Sequence, residues 1–320
     1  MIRPLFGAWA TVACLPFATA LAVSAQASPA ARSGAEIVRD APPTAWRTPD
    51  PANVMLMTLG TGTVVIELAP RFAPRTVANI RTLLGQHYFD GLAILRVQDD
   101  YVVQWGDPEA ESERPPGAAS APVASKAKPL GAAAAGLPPE FSTSDRGLRL
   151  ARLKDRDVWA PVTGFVDGFA VGDDPKAHRA WLAHCYGVVG AGRGDTADSG
   201  NGAELYAVIG QSPRGLDLNI TTVGRVLQGM ELLASLPRGG PNMGFYEHRE
   251  QDVPIQRARL LSDLPASERP AIQVFRTDTA EWAAYVESRR NRPESWFVHR
   301  ANAVDMCNLT VPVRIAPAGT

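Results

Sequence analysis

Residues Tyr88 to Pro108 read YFDGLAILRVQDDYVVQWGDP. One arginine, Arg96, stands between apolar neighbours, a Gln98-Asp99-Asp100 turn follows, and a second apolar run carries Gln104 into Gly106-Asp107-Pro108. A charge set in a hydrophobic strand is either paired or used, because leaving it desolvated and alone is costly. Arg96 and Gln104 are therefore read together, as two polar groups offered on one greasy patch.

Outward from that stretch, the apolar runs are short and bounded by turn residues. Val54 to Leu59 and Val64 to Leu68 flank Gly60-Thr61-Gly62, a hairpin signal. Pro74 suits a first helical turn, and Val77, Ile80, Leu83 and Leu84 fall on one helical face. Downstream, Trp181 to Val189, Leu205 to Ile209 and Ile220 to Val226 are strand-like, and Met230 to Leu236 reads as a short helix before a Pro/Gly-rich bend at 237 to 244. The tail from about 266 holds a strand-like run (Ala271 to Phe275), a helix (Thr279 to Arg289) and a terminal strand (Leu309 to Ile315). Many short strands with few helices predict a mainly β fold built on a barrel.

Two stretches look unlike the rest. Residues 28 to 50 lack periodicity and read as a tether. Glu109 to Pro139 is rich in Ala, Pro, Ser and Gly, too poor in large apolar residues to offset its ordering entropy, and is expected to be a mobile insertion. Residues 140 to 180 are mixed, with Trp159, Phe165 and Phe169 available for packing. The expected organisation is a leader (1-27), a linker (28-50), a barrel domain (51-265) interrupted at about 109-180, and a small α/β extension (266-320).

Composition narrows the function. The 320 residues are 45% hydrophobic and 20% charged, as in a globular protein. A formal net charge of -1 argues against a nucleic-acid or anionic-membrane binder. The basic cluster Arg289-Arg290-Asn291-Arg292 is read as the solvated face of a helix. At the N-terminus, Arg3, the apolar run Leu5 to Val23 and the small-x-small pattern Ala25-Gln26-Ala27 predict a signal peptide cleaved after Ala27, export, and no membrane span once it is removed. The composition favours a periplasm as destination. Two cysteines then remain, Cys185 and Cys307, and the sequence leaves open whether they pair or stay as buried thiols. The five histidines lack metal-ligand spacing, so no metal or other cofactor is expected.

In three blocks the chain resembles the cyclophilin-type peptidyl-prolyl cis-trans isomerases. The first is Gly62 to Leu68 followed by Ala73-Pro74-Arg75-Thr76-Val77-Ala78-Asn79. The second and most specific is Tyr88-Phe89-Asp90-Gly91, Leu95-Arg96-Val97 and Tyr101 to Pro108. The third is Gly202 to Tyr206, Leu216-Asp217, and Val223-Gly224-Arg225-Val226 with Gly229-Met230. The resemblance implies an eight-stranded antiparallel barrel capped by helices, with a peptide groove on its outer wall. It also implies a rotamase that assists protein folding and acts on proline-containing polypeptides; apart from the resemblance, a monomer is expected.

By the same resemblance Arg96 is the catalytic donor. Tyr101, Val102 and Tyr206 line the proline pocket, Gln104 holds the peptide backbone or orients Arg96, and Glu204 and Ile220 complete the substrate site. Several residues depart from the family pattern. Glu204 stands for the usual glutamine, and so could pair with Arg96. Tyr206 replaces phenylalanine, Trp105 replaces a glycine and is expected to place bulk beside the groove, Gly215 falls near a tryptophan of some members, and Ile220 stands where histidine or tyrosine is frequent. Plainer readings remain open: Arg96 as an ion-pair partner of Asp99, Asp100 or Asp107, Gln104 as a buried group satisfied by backbone, and the tyrosines as ordinary packing. The competing functions are a non-catalytic peptide-binding module or chaperone using the same groove, and an unrelated β-barrel binder of small ligands.

Overall fold

The computed structural model describes Met1 and residues 31–110 and 127–316. The expected leader therefore falls almost wholly outside the described residues, as do residues 111–126 of the insertion. The elements below belong to the unit that begins at Arg32.

Eight strands close into an antiparallel barrel. Around the wall they run Val188–Ala191, Leu205–Val208, Val102–Gly106, Ala93–Val97, Val253–Leu260, Val54–Leu59, Gly62–Leu68 and Thr222–Gln228, which returns to Val188–Ala191. The Val54–Leu59 and Gly62–Leu68 strands pair from Val54 with Glu67 to Leu59 with Gly62, which leaves Gly60-Thr61 as the two-residue turn. Strand residues alternate between faces, and here the inward set is apolar. Met55, Met57, Val64, Ile66, Val103, Trp105, Leu205 and Ala207 fill the interior, as a barrel of this size requires. Trp105 is wholly buried in that core. The expectation that it crowds the groove is thus wrong: two residues of alternation from Val103 turn it inward.

The helix Pro74–Gly85 lies against the barrel, burying Val77, Ile80, Leu83 and Leu84 as its periodicity predicts. Its N-cap residue, Ala73, offers no side-chain acceptor. Glu140 supplies one from far along the chain, its carboxylate accepting from Arg75 N at 3.0 Å and Thr76 N at 2.9 Å. A carboxylate there satisfies orphan amides and complements the helix dipole.

That contact begins a correction to the mobile-insertion reading. Residues 127–139 are held against the barrel. Lys128 Nζ donates to the carbonyls of Tyr88 and Asp90 at 2.6 and 2.9 Å, Ala134 N donates to Asn79 Oδ1 at 2.8 Å, and Leu130 and Ala133 pack on the core. The composition argument counts only apolar burial and misses these polar anchors. Residues 143–182 go on to form a five-stranded sheet in the order Thr143–Ser144, Arg179–Leu182, Phe169–Asp174, Val162–Val166, Ala151–Arg152.

The tether reading also fails. Ser33 caps the helix Gly34–Arg39 in a reciprocal box with Glu36, and Trp46–Arg47 forms a strand. This strand joins Ile272–Phe275 and Val313–Ile315 in a three-stranded sheet. Trp46 packs edge-on to Phe275 with ring centres 5.0 Å apart, and Arg47 forks onto buried Glu67 of the barrel at 2.6 and 2.9 Å. Low periodicity misleads because these elements are too short to show one. The terminal strand starts at Val313, later than Leu309, and a helical turn, Met306–Asn308, precedes it. In the helix Ala280–Arg290, Arg290 is buried and bonded to Asp155 and Glu287, so the basic cluster is not simply a solvated face. Cys185 and Cys307 are disulfide-bonded, resolving the alternative left open. No helix among the described residues is long and apolar enough to cross a membrane.

Candidate functional site

The outward set of the barrel wall is mixed rather than apolar, and it gathers on three neighbouring strands. Register pairs Arg96 with Gln104 and Gln104 with Tyr206, so these three side chains stand in one row across the wall. A bulge between Ile94 and Arg96 re-aims the arginine at that row. Two residues along, Val102 and Val208 extend the outward face. With Tyr206 they form a small apolar cluster against which Tyr101 and Ile220 pack. The predicted pocket residues Tyr101, Val102, Tyr206 and Ile220 are thus brought together, and Val208 joins them. Its position two residues after Tyr206 was the available signal.

Arg96 is partly exposed and held on several sides. Its Nε donates to Met243 O at 2.6 Å, Nη1 to Gln104 Oε1 at 2.9 Å, and Nη2 to Gln98 Oε1. The guanidinium also lies over the rings of Tyr101 and Phe245, 5.5 and 5.2 Å from their centres, a geometry that attracts a cation to a π face. The acidic partners proposed for it are engaged elsewhere: Asp99 with Arg238, Asp100 with Gln211 N, and Asp107 with the amides of Glu109 and Lys128. Gln104 is buried, but a side chain and not backbone satisfies its amide group, whose Nε2 donates to Glu204. Because a carboxylate only accepts, Glu204 fixes which way the Gln104 amide points, and so presents Oε1 to Arg96. Gln98, Met243 and Phe245 escaped the sequence reading. The last two lie in or just after the 237–244 bend, where no pattern announces a contact with Arg96.

Behind this row is a buried polar chain. Tyr206 crosses the neighbouring strand at Gly190, where any Cβ would sit 2.2 Å from its hydroxyl, so only glycine lets the ring pass. The hydroxyl then meets His184 Nε2 at 2.9 Å, while Nδ1 lies 2.9 Å from Asp217 Oδ1. A histidine that directs its Nδ1 proton at the carboxylate offers Nε2 as the acceptor for the tyrosine hydroxyl. Burial pushes the Tyr206 hydroxyl well above its ordinary value of 10, which keeps it protonated and donating. Asp217 further accepts from His184 N, Trp181 Nε1 and Arg214 Nε at 3.0, 3.0 and 2.7 Å. Burial would raise its carboxyl, yet hydrogen bonding from His184 and the charge of Arg214 outweigh that and hold it below the usual aspartate range. Arg214 continues the chain by forking onto Asp157, at 2.9 and 3.2 Å. His184, Arg214 and Asp157 carried no sequence signal of a shared site, being far apart along the chain.

The family model for the cyclophilin type peptidyl-prolyl cis-trans isomerase/CLD family matches residues 54–260. The chain belongs to this family. That span is the barrel together with its insertion. Cyclophilin AquaCyp293 from Hirschia baltica is similar in structure, with TM-score 0.62 and 25% identity over 85% of this chain and 94% of that one. A probable peptidyl-prolyl cis-trans isomerase of Brucella suis is 25% identical over 190 residues, 59% of this chain and 74% of that protein. Peptidyl-prolyl cis-trans isomerase ppi1 of Schizosaccharomyces pombe is 46% identical over 57 residues, a match spanning 36% of its length. In this cyclophilin a buried polar chain runs from the Tyr206 hydroxyl through His184, Asp217 and Arg214 to Asp157 of the insertion.

Proposed function

We propose that the protein accelerates rotation about X-Pro peptide bonds, with Arg96 donating to the prolyl nitrogen in the twisted transition state. Amide resonance sets a barrier of about 20 kcal/mol, and twisting the bond abolishes that resonance and restores a lone pair on nitrogen. A catalyst therefore needs a fixed donor, an apolar seat for the ring, and a polar group for the flanking backbone. The observation that carries the reading is the clamped Arg96 guanidinium beside the Tyr101, Val102, Tyr206 and Val208 cluster. A guanidinium stays charged and keeps its donors in one plane, so its aim survives changes of pH. Gln104 and Glu204 would engage the substrate backbone, and Ile220 the far side of the ring.

The substrates are proline-containing segments of exported proteins. The N-terminal pattern supports a periplasmic location, and so does the Cys185–Cys307 bond, since disulfides persist in oxidising compartments.

A second reading, a peptide-binding module or chaperone without catalysis, draws on Glu204, whose charge close to Gln104 favours holding Arg96 in place. NMR exchange spectroscopy on a short X-Pro peptide separates the two. Wild type should accelerate exchange, and Arg96→Ala should lower turnover by about 10²- to 10³-fold, the usual cost of one transition-state donor. Equal turnover in a folded variant would remove Arg96 from the mechanism. Binding without acceleration by wild type would favour the module.

A further inference from the structure

An exposed tryptophan stands at the end of the polar chain. Trp159 is 52% exposed, and Val158 before it and Tyr186 opposite are exposed as well. Trp159 is nevertheless pinned. Asp157 Oδ1 accepts from the backbone N–H groups of Trp159 and Ala160 at 2.7 and 2.9 Å, and Arg214 grips the same carboxylate. A large apolar side chain left half in water on an anchored backbone is spent surface unless something covers it.

Its surroundings indicate what that is. Trp159, Tyr186 and the Gly210-Gln211-Ser212 segment line a cleft of about 550 Å³, with Arg156 at its edge. The segment that floors this cleft is the direct continuation of the Leu205–Val208 strand. It is tied to the edge of the proline pocket, with Ile209 N donating to Tyr101 O at 2.9 Å and Gln211 N to Asp100 Oδ1 at 2.7 Å. At Gly210 a Cβ would lie 2.1 Å from the Asp100 backbone, so the two segments touch without a side chain between them. Gly215, in the turn Arg214–Leu216, lies beside Trp159: a Cβ there would meet the Trp159 ring at 3.8 Å, an ordinary contact.

We propose that Trp159 is a specificity-determining residue that contacts substrate: the aromatic wall of a subsite continuous with the proline pocket, which takes an aromatic side chain flanking the proline. Asp157, Arg214, Asp217 and His184 are positioning residues that keep this wall in fixed relation to Tyr206. The inference rests on the isomerase reading in one respect, that the groove receives a proline-containing polypeptide.

The test uses the mature chain and a series of Ala-Pro peptides carrying phenylalanine or glycine at successive positions on either side of the pair. Exchange rates give KM and kcat, and the Trp159 indole N–H resonance reports contact independently of turnover. At one flanking position phenylalanine should lower KM by about fivefold relative to glycine, the size of one aromatic contact. It should also shift the Trp159 signal, and Trp159→Ala should bring the ratio of the two KM values close to one. Being exposed, the position tolerates alanine without loss of fold. Acceleration by wild type with the same KM ratio in Trp159→Ala would overturn this inference and leave the isomerase standing. A peptide-induced Trp159 shift without acceleration would uphold the subsite and sink the isomerase. A Trp159 shift that follows protein concentration instead of peptide would reassign the patch to self-association and overturn the subsite.

Discussion

The two polar networks that meet at Tyr206 and Gln104 are built from different bonds. In the outer one, Arg96 is partly exposed and its acceptors are two glutamine amides and a backbone carbonyl. In the inner one, the charges of Asp157, Arg214 and Asp217 are buried together around His184. Single hydrogen bonds from a partly exposed guanidinium are worth about 1.5–3 kcal/mol each at most and can exchange with water or substrate. A buried charge that loses its partner costs about 3–5 kcal/mol. The outer network is therefore able to trade partners when a peptide arrives, whereas the inner one holds its geometry.

The sharpest way to break this contrast is Asp217→Ala, which strips His184 of its carboxylate and Arg214 of one of its two in a buried site. It should lower stability by about 3–5 kcal/mol in urea unfolding at pH 7; a loss below about 1 kcal/mol would mean the inner chain is not structural. Arg96→Ala should do the reverse. Its large effect falls on turnover, while stability drops by about 1–3 kcal/mol, the cost of leaving the buried Gln104 carbonyl without its donor. Acid adds a signed test. Because the folded Asp217 carboxyl is held below its ordinary value, its contribution is complete above about pH 4, where an unfolded aspartate is ionised. It drains away as pH falls through the folded value. Asp217→Asn should flatten that part of the acid limb, and an unaltered limb would assign the acid sensitivity to other carboxylates. The smallest effect is expected of Glu204→Gln, which lets the Gln104 amide take either orientation. Turnover should fall about threefold, as for one modest hydrogen bond, and a rise would show that the carboxylate restrains Arg96.

The barrel was legible because its rules are local. Period-2 strands, a two-residue turn after Leu59 and the helical face from Val77 to Leu84 can each be read within a dozen residues. The groove was legible through Arg96, a charge where a strand should be apolar. What escaped depends on contacts across long separations. Glu140 caps a helix more than sixty residues upstream, Phe245 stacks on Arg96, and Asp157 reaches Arg214. None of these leaves a spacing pattern, since each side chain is ordinary for its own segment. Trp105 failed for the opposite reason. Alternation with Val103 puts it inside the barrel, a local signal that comparison with the usual glycine obscures.

The small outer sheet sets an order on how the chain is completed. The barrel has all its strands once residue 260 is made, but Trp46 must wait for Phe275, and Ile272 for Ile315. Cys185, next to His184, has its partner only when Cys307 appears. Residues from both sides of the barrel sequence thus close one flank together, and the disulfide staples that closure to the strand-bearing segment next to His184.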